Sequence, residues 1–265
     1  MKIVASMRDS DGSNANQQIR KLVYALGGGT EIKRTLPVPL DTDLFIQWGY
    51  KPTVALQSAK ELRIPYVIVD LGYFDVTRMQ CFSLSINGFH GLSMQYDRVH
   101  SLPERPRLQI MPWREDGDEV VILGQMPGDQ SLFGQDIDAW MGRAASCAID
   151  VFGRKVVKRP HPKMLNPWEP QLPALEATFD STYVYVSWTS TAAIQTVAAG
   201  IPTITAHPAN MAFDLGCGED RVRMPGREAW MHDLSCRQYD FSSVKDVRQG
   251  AKYILKAYDQ ARDVL

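Results

Sequence analysis

Three short stretches carry residues whose types and spacing can do chemistry. The first, VVKRPHP at 156–162, runs from an apolar strand into His161 between Pro160 and Pro162. The two prolines hold the backbone extended, so an imidazole is presented stiffly at a strand's carboxyl end. There it can donate a hydrogen bond to a phosphate or carboxylate, with Lys158, Arg159 and Lys163 adding positive charge beside it. A solvated basic turn would read the same way. The second stretch, SWTSTAAIQTVAAG, sets Ser187, Thr189, Ser190 and Thr191 ahead of a helix rich in small residues. Any of these hydroxyls can cap the helix, and uncapped amides there favour an anion. Taken with His161 in the same half of the chain, they outline a pocket for a nucleotide phosphate. The third, YVIVDLGYF, brings Asp70 to the end of a strand just before Gly72. A carboxylate so placed can serve as general base or nucleophile, or simply cap the turn.

Two further segments supply polar groups on loops. INGFHG holds Asn87 and His90 between glycines that let backbone approach a ligand closely. GQMPGDQS (124–131) offers Gln125, Asp129 and Ser131 after another apolar strand. Other chemistries have no support. GGGT lacks the Lys-Ser/Thr of a P-loop, and neither GxSxG nor HExxH occurs. Asp41 and Asp43 have DxD spacing but precede a strand, and read as a solvated loop, so no metal site is expected.

The elements that must position these residues follow from the apolar pattern. Short strands alternate with helical stretches, the signature of a parallel sheet covered by helices on both faces. Strands are expected at 2–7, 43–49 and 65–72, with helices over 14–26 and 51–64 and GGGT as the first helix's stop. Residues 73–117 break the pattern and end in a Pro/Arg-rich run, which reads as a connection. Strands at 119–125, 154–160, 183–188 and 202–206 then alternate with helices over 135–153 and about 190–199. The 3.6-residue apolar period of 242–265, free of Pro, predicts a terminal amphipathic helix. The expected fold class is α/β, with two facing Rossmann-like halves and a cleft between them. Residues 1–112 form the N-terminal half, 113–241 the C-terminal half and 242–265 the terminal helix. Ligands in such folds lie outside the carboxyl ends of the strands.

Composition limits the function classes. A chain of 265 residues, 45% apolar, can fill a sizeable core, and a net charge of −1 gives no global pull toward nucleic acid or an acidic membrane. Cys81, Cys147, Cys217 and Cys236 form no CxxC pair, which argues against zinc and for reduced thiols. No apolar run approaches the ~18 residues of a membrane span, and no signal-peptide core is seen. A cytoplasmic protein without stable membrane insertion is expected.

The motifs then resemble a family. EVVILGQMPGDQS, VVKRPHP and YVYVSWTSTAAIQTVAAGIPTIT are similar to the C-terminal half of the capsule-polysaccharide Kdo-transferase family, bacterial glycosyltransferases of GT-B-like architecture. That family shows, in the same order, a pGQ…D.S strand and loop, a KPHP turn, a TS element before a helix and a G.P strand. DLFIQWGYKP resembles its WG strand, RIPYVIVDLGYFD its acidic turn, and SLSINGFHGLS the segment after it, so the resemblance spans about 43–208. The family's paired acidic residues are here Val69-Asp70-Leu71-Gly72, leaving one carboxylate; its GFEALL and YAGWG are replaced by AIQTVA and ANMAFDLG.

The resemblance implies a metal-independent transfer of sugar from a nucleotide-activated donor to an acceptor hydroxyl, without a cofactor. Catalytic roles fall to Asp70 and His161. Gln125, Lys158, Arg159, His161, Ser187, Thr189, Ser190 and Thr191 are expected on the donor, and Gly72, Asn87, His90 and Asp129 on the acceptor side. The chain is short for this architecture. Such trimming suits a phage or mobile-element enzyme, so the acceptor is either a glycan or a hydroxymethylated DNA base. The near-neutral net charge argues against DNA, while Arg154, Lys155, Lys158, Arg159 and Lys163 offer a patch that could hold its phosphates. Two alternatives stand beside this reading: an isomerase of the UDP-sugar epimerase type, and a non-catalytic nucleotide or nucleic-acid binding module.

Overall fold

The computed structural model describes residues 1–10, 12–74, 81–96, 108–165, 172–215 and 222–262. The chain forms two compact units: Met1–Arg107 together with Trp230–Leu265, and Leu108–Ala229. The second unit is thus one continuous segment, whereas the first is completed by the end of the chain. Sequence puts the end of the second half at 241; the second unit ends at Ala229, and Gln238–Asp240 pairs with the first unit's sheet.

In the first unit the strands are β1 (Ile3–Met7), β2 (Thr30–Lys33), β3 (Leu44–Trp48), β4 (Tyr66–Leu71) and β5 (Cys81–Ile86). The second unit holds β6 (Glu119–Leu123), β7 (Lys155–Arg159), β8 (Thr182–Ser187) and β9 (Thr203–Thr205), and β10 (Gln238–Asp240) returns to the first. The helices are α1 (Asn14–Ala25), α2 (Val54–Glu61), α3 (Ile137–Phe152), α4 (Ala192–Ala198), α5 (Glu228–Cys236) and α6 (Val244–Arg262).

The first sheet has the order β10-β5-β4-β3-β1-β2. Strands β1 to β4 are parallel, but β5 runs antiparallel to β4 and β10 antiparallel to β5. The wholly parallel sheet expected from sequence is therefore corrected at this edge. Inward residues of α1 (Ile19, Leu22) and α6 (Val247, Ile254) pack with Ala5, Ile46 and Val67, while Leu56 and Ala59 of α2 pack on Val4, Phe45 and Ile68 from the opposite face. Alternation along each strand sends successive side chains to these two layers. The second sheet, β7-β6-β8-β9, is parallel throughout. Its α3 face buries Trp140, Met141 and Ala145 against Val120, Ile122 and Val184.

In each sheet the strand order reverses beside the first strand. The reversal falls between β1 and β3 in one and between β6 and β8 in the other. The crevice at the carboxyl ends of such a strand pair is where open α/β sheets bind ligands.

Candidate functional site

At the β6/β8 reversal, the loops that follow the two strands are tied together by side chains. Gln125 Nε2 donates to Thr189 Oγ1 at 2.9 Å and to Ser131 Oγ at 3.1 Å, and its Oε1 accepts the Thr189 backbone N–H at 2.9 Å. Thr189 Oγ1 donates on to the Ser131 carbonyl at 2.8 Å. All three residues are buried, so their polar groups satisfy one another and hold the loops rigidly. Gln125 and Thr189, expected on the donor, are thus brought together by the structure and joined to Ser131. Ser187 is fully buried and accepts from Asn210 Nδ2 at 3.2 Å. In register with it on β9, Thr205 carries a buried hydroxyl without a hydrogen-bond partner. Ser190 caps the Ala192 amide and Thr191 lies exposed beside it. The helix itself starts at Ala192 and has only seven residues, so the hydroxyls matter more here than its dipole.

His161 stands where the sequence places it, directly beyond β7. Its Nδ1 accepts the backbone N–H of Lys163 at 3.2 Å, which leaves the neutral ring's proton on Nε2 as a donor to the outside. Burial first, and the Lys163 charge second, push its pKa below the usual histidine value, while Asp129 pulls it up. Asp129, expected on the acceptor side, therefore lies within electrostatic reach of His161 in the second unit. Its carboxylate accepts the Ser131 N–H at 2.8 Å and so shapes the loop after β6.

The basic residues do not form one patch. Arg159 is buried and donates to the Pro173 carbonyl at 2.7 Å, and Lys158 and Lys163 are exposed. Arg154 donates to the Gly117 carbonyl and Lys155 pairs with Glu119, at the amino end of β7. Lys155 is about 13 Å along the strand from Arg159, too far to share its anion.

A second histidine escaped the sequence reading. His207 follows β9, and its Nδ1 accepts the Ala209 N–H at 3.0 Å, repeating the geometry of His161 at another His-Pro turn. Its ring stacks on Phe133 at 4.5 Å and 18°, with Trp188 behind at 4.9 Å. Phe133 is 37% exposed and adopts φ +53°, a left-handed conformation unusual for a bulky residue. The repeated His-Pro pair in "RPHPK" and "TAHPA" was the available signal.

In the first unit, Asp70 is half-buried near the carboxyl end of β4, and its Oδ1 accepts the Leu71 N–H. The other acceptor-side expectations are redistributed. A Cβ on Gly72 would lie 2.6 Å from Gln238 Oε1, so the space expected for a sugar is filled by that carboxamide, which accepts from the Tyr73 and Phe74 amides. Asn87 bonds the Tyr66 N–H through its Oδ1. Because β5 runs antiparallel, the loop after it returns to the amino end of β4, about 13 Å along the strand from Asp70. His90 is buried against Phe89 and Tyr73. Asp41 and Asp43 are engaged by Lys2 through its Nζ and its backbone N–H. Among the described residues no group of three or more His, Cys, Asp or Glu is placed to hold a metal ion, and no helix is long and apolar enough to cross a membrane.

These features define an α/β protein of two Rossmann-like units, the GT-B-like class, with polar groups gathered at the carboxyl ends of the strands. No family model and no curated protein matches the sequence. Among solved structures, the chain shares its fold with two Kdo-transferase structures of KpsC from Thermosulfurimonas dismutans. Similarity to the beta Kdo 2,4 transferase has a TM-score of 0.55 at 12% identity, over 91% of this chain and 92% of that one. For the beta Kdo 2,7 transferase the values are 0.53 and 10%, over 97% and 99%.

Proposed function

We propose that the protein is a glycosyltransferase that moves a sugar from a nucleotide-activated donor to an acceptor hydroxyl. The observation that carries this reading is the convergence, in the second unit, of His161, Asp129, Ser190 and the bonded Gln125 and Thr189 around the carboxyl ends of β6, β7 and β8. The nucleotide phosphate is assigned to His161 Nε2, Lys163 and the hydroxyls of Ser190 and Thr191, and the base to the Phe133–His207 pair. Asp70 in the first unit is assigned to the reaction. As a base it takes the acceptor proton while the hydroxyl oxygen attacks the anomeric carbon. As a nucleophile it bonds to that carbon itself, and the acceptor hydroxyl then attacks the same carbon, breaking the bond to Asp70, regenerating its carboxylate and losing its proton to solvent. In either case the bond to phosphate breaks and its electron pair leaves with the nucleotide, whose growing charge the donors around His161 stabilise. Metal is not required in this scheme, and a glycan or a hydroxymethylated base supplies the hydroxyl.

A thermal-shift panel of nucleotide sugars tests the donor assignment, since a ligand that binds the native state raises the melting temperature by mass action. At least one should stabilise the protein, lose that effect in His161→Ala and be slowly hydrolysed without acceptor. A panel in which none does so would discard the reading.

A further inference from the structure

The β1/β3 reversal of the first unit carries a group of side chains with no part in the scheme above. Arg8 follows β1, Arg34 follows β2 and Trp48 ends β3, so three adjacent strands deliver them to one end of the sheet. Asn16 holds the loop after β1 by accepting the Arg8 N–H at 2.9 Å and donating to the carbonyls of Arg8 and Ser10. The Arg8 guanidinium lies over the Trp48 ring, 5.8 Å from its centre, and the ring is braced edge-on by Phe82. Arg34 Nη2 donates to the Trp48 carbonyl at 2.6 Å, and the Arg34 carbonyl accepts from Ala55 of α2.

Two cations thus meet at one tryptophan. Burial first, and the Arg8 charge second, push the Arg34 pKa down, with Asp9 opposing them. Yet Arg34 Nε is buried and makes no hydrogen bond, and among the described residues no ion pair joins Asp9 to either guanidinium. A buried cationic donor without a partner costs stability, and a second cation beside it adds to that cost. An anion between the guanidiniums would offset the repulsion between the two charges.

We propose that Arg8 and Arg34, gathered at Trp48, form a binding site for an oxyanion, the carboxylate or phosphate group of a bound molecule. The crevice at the strand reversal gives the anion its entrance, and the guanidinium fork gives it directional donors. The site stands apart from the second unit's phosphate assignment and does not depend on it. Trp48 is in register with Val69, the residue before Asp70, so a molecule held by its oxyanion here has Asp70 one strand away.

The test is a set of melting curves at constant ionic strength with inorganic phosphate, glucuronate or glucose replacing chloride buffer, on the wild type, Arg8→Ala, Arg34→Lys and His161→Ala. Arg8 is exposed, so its removal leaves the core intact. We expect saturable stabilisation by phosphate or glucuronate and none by glucose. Apparent affinity should fall about tenfold or more in Arg8→Ala and Arg34→Lys and persist in His161→Ala. Phosphate acting alone assigns the site to a phosphate group, and glucuronate acting alone to a carboxylate. Arg8→Ala without ligand should melt no lower than wild type, because it relieves repulsion. Stabilisation that survives both arginine variants, or disappears in His161→Ala instead, overturns the site while leaving the donor assignment standing. Absence of any oxyanion effect on the wild type overturns it outright.

Discussion

Asp70 and His161 are separated by what their surroundings do to them. Asp70→Asn keeps the side chain's size and its bond to the Leu71 amide, so melting temperature and donor affinity should stay near wild type while turnover falls by roughly 10²–10⁴-fold. A destabilised variant with normal turnover per folded molecule would mark Asp70 as structural. His161 and His207 are both held below the usual histidine pKa, by burial in each case and also by Lys163 at His161. Because the unfolded chain binds these protons more readily, stability is full above the unfolded value of about 6.5 and falls as pH drops below it. The melting temperature should decline as pH falls below about 6.5, and a His161→Gln/His207→Gln double variant should show a flatter profile. Phe133 offers a third check. Asn tolerates the left-handed backbone, so Phe133→Asn should not lower the melting temperature. Removing the ring should weaken nucleoside monophosphates about tenfold but leave ribose 5-phosphate, which has no base, unchanged. Equal loss for both ligands would deny the ring a role in holding the base.

Among the elements, the turn from α4 into β9 leaves no room for a larger residue at Gly200. Gly200 has φ +81°, and a Cβ there would come within 1.9 Å of the Pro112 carbonyl oxygen, because residues 111–114 bond along this turn. Gly200→Ala should cost about 2–4 kcal/mol, measurable by denaturant unfolding. A cost below 1 kcal/mol would mean the segment shifts freely. The strands that carry the candidate site were legible because they are apolar runs: VVIL, YVYV and YVIV announce themselves by burial on both faces. Strand β2 was not, since TEIK has no apolar run and lies at an edge, formed by backbone pairing with β1 alone. Strand β5 was lost because Ser83 and Ser85 are buried yet polar, satisfied by the Leu71 carbonyl and the His90 amide. The antiparallel β5 then moved Asn87 to the opposite end of β4, which no local pattern reveals. His161 was legible because prolines fix it. Arg8, Arg34 and Phe133 were not, since only strand order and one unusual φ bring out their surroundings.

At the level of the whole molecule, transfer should persist in EDTA if side chains alone hold the leaving phosphate. Loss on chelation with recovery in Mg²⁺ or Mn²⁺ would require a metal the described residues do not gather. The passage of the chain from one unit to the other and back has its own effect. A fragment spanning 108–229 contains every strand of its sheet, whereas 1–107 lacks β10 and the apolar face of α6, including Val247, Ala251, Ile254 and Ala257. The first fragment should give a cooperative melt, and the second should melt cooperatively only when residues 230–265 are supplied. A non-cooperative 108–229 fragment would contradict this division. During synthesis the consequence is one of timing. The part begun first is finished last: an emerging chain must hold the open edge of β5 and half of a core in waiting while the inserted part folds. That interval leaves an unpaired strand edge and apolar surface open, the features that favour aggregation during folding.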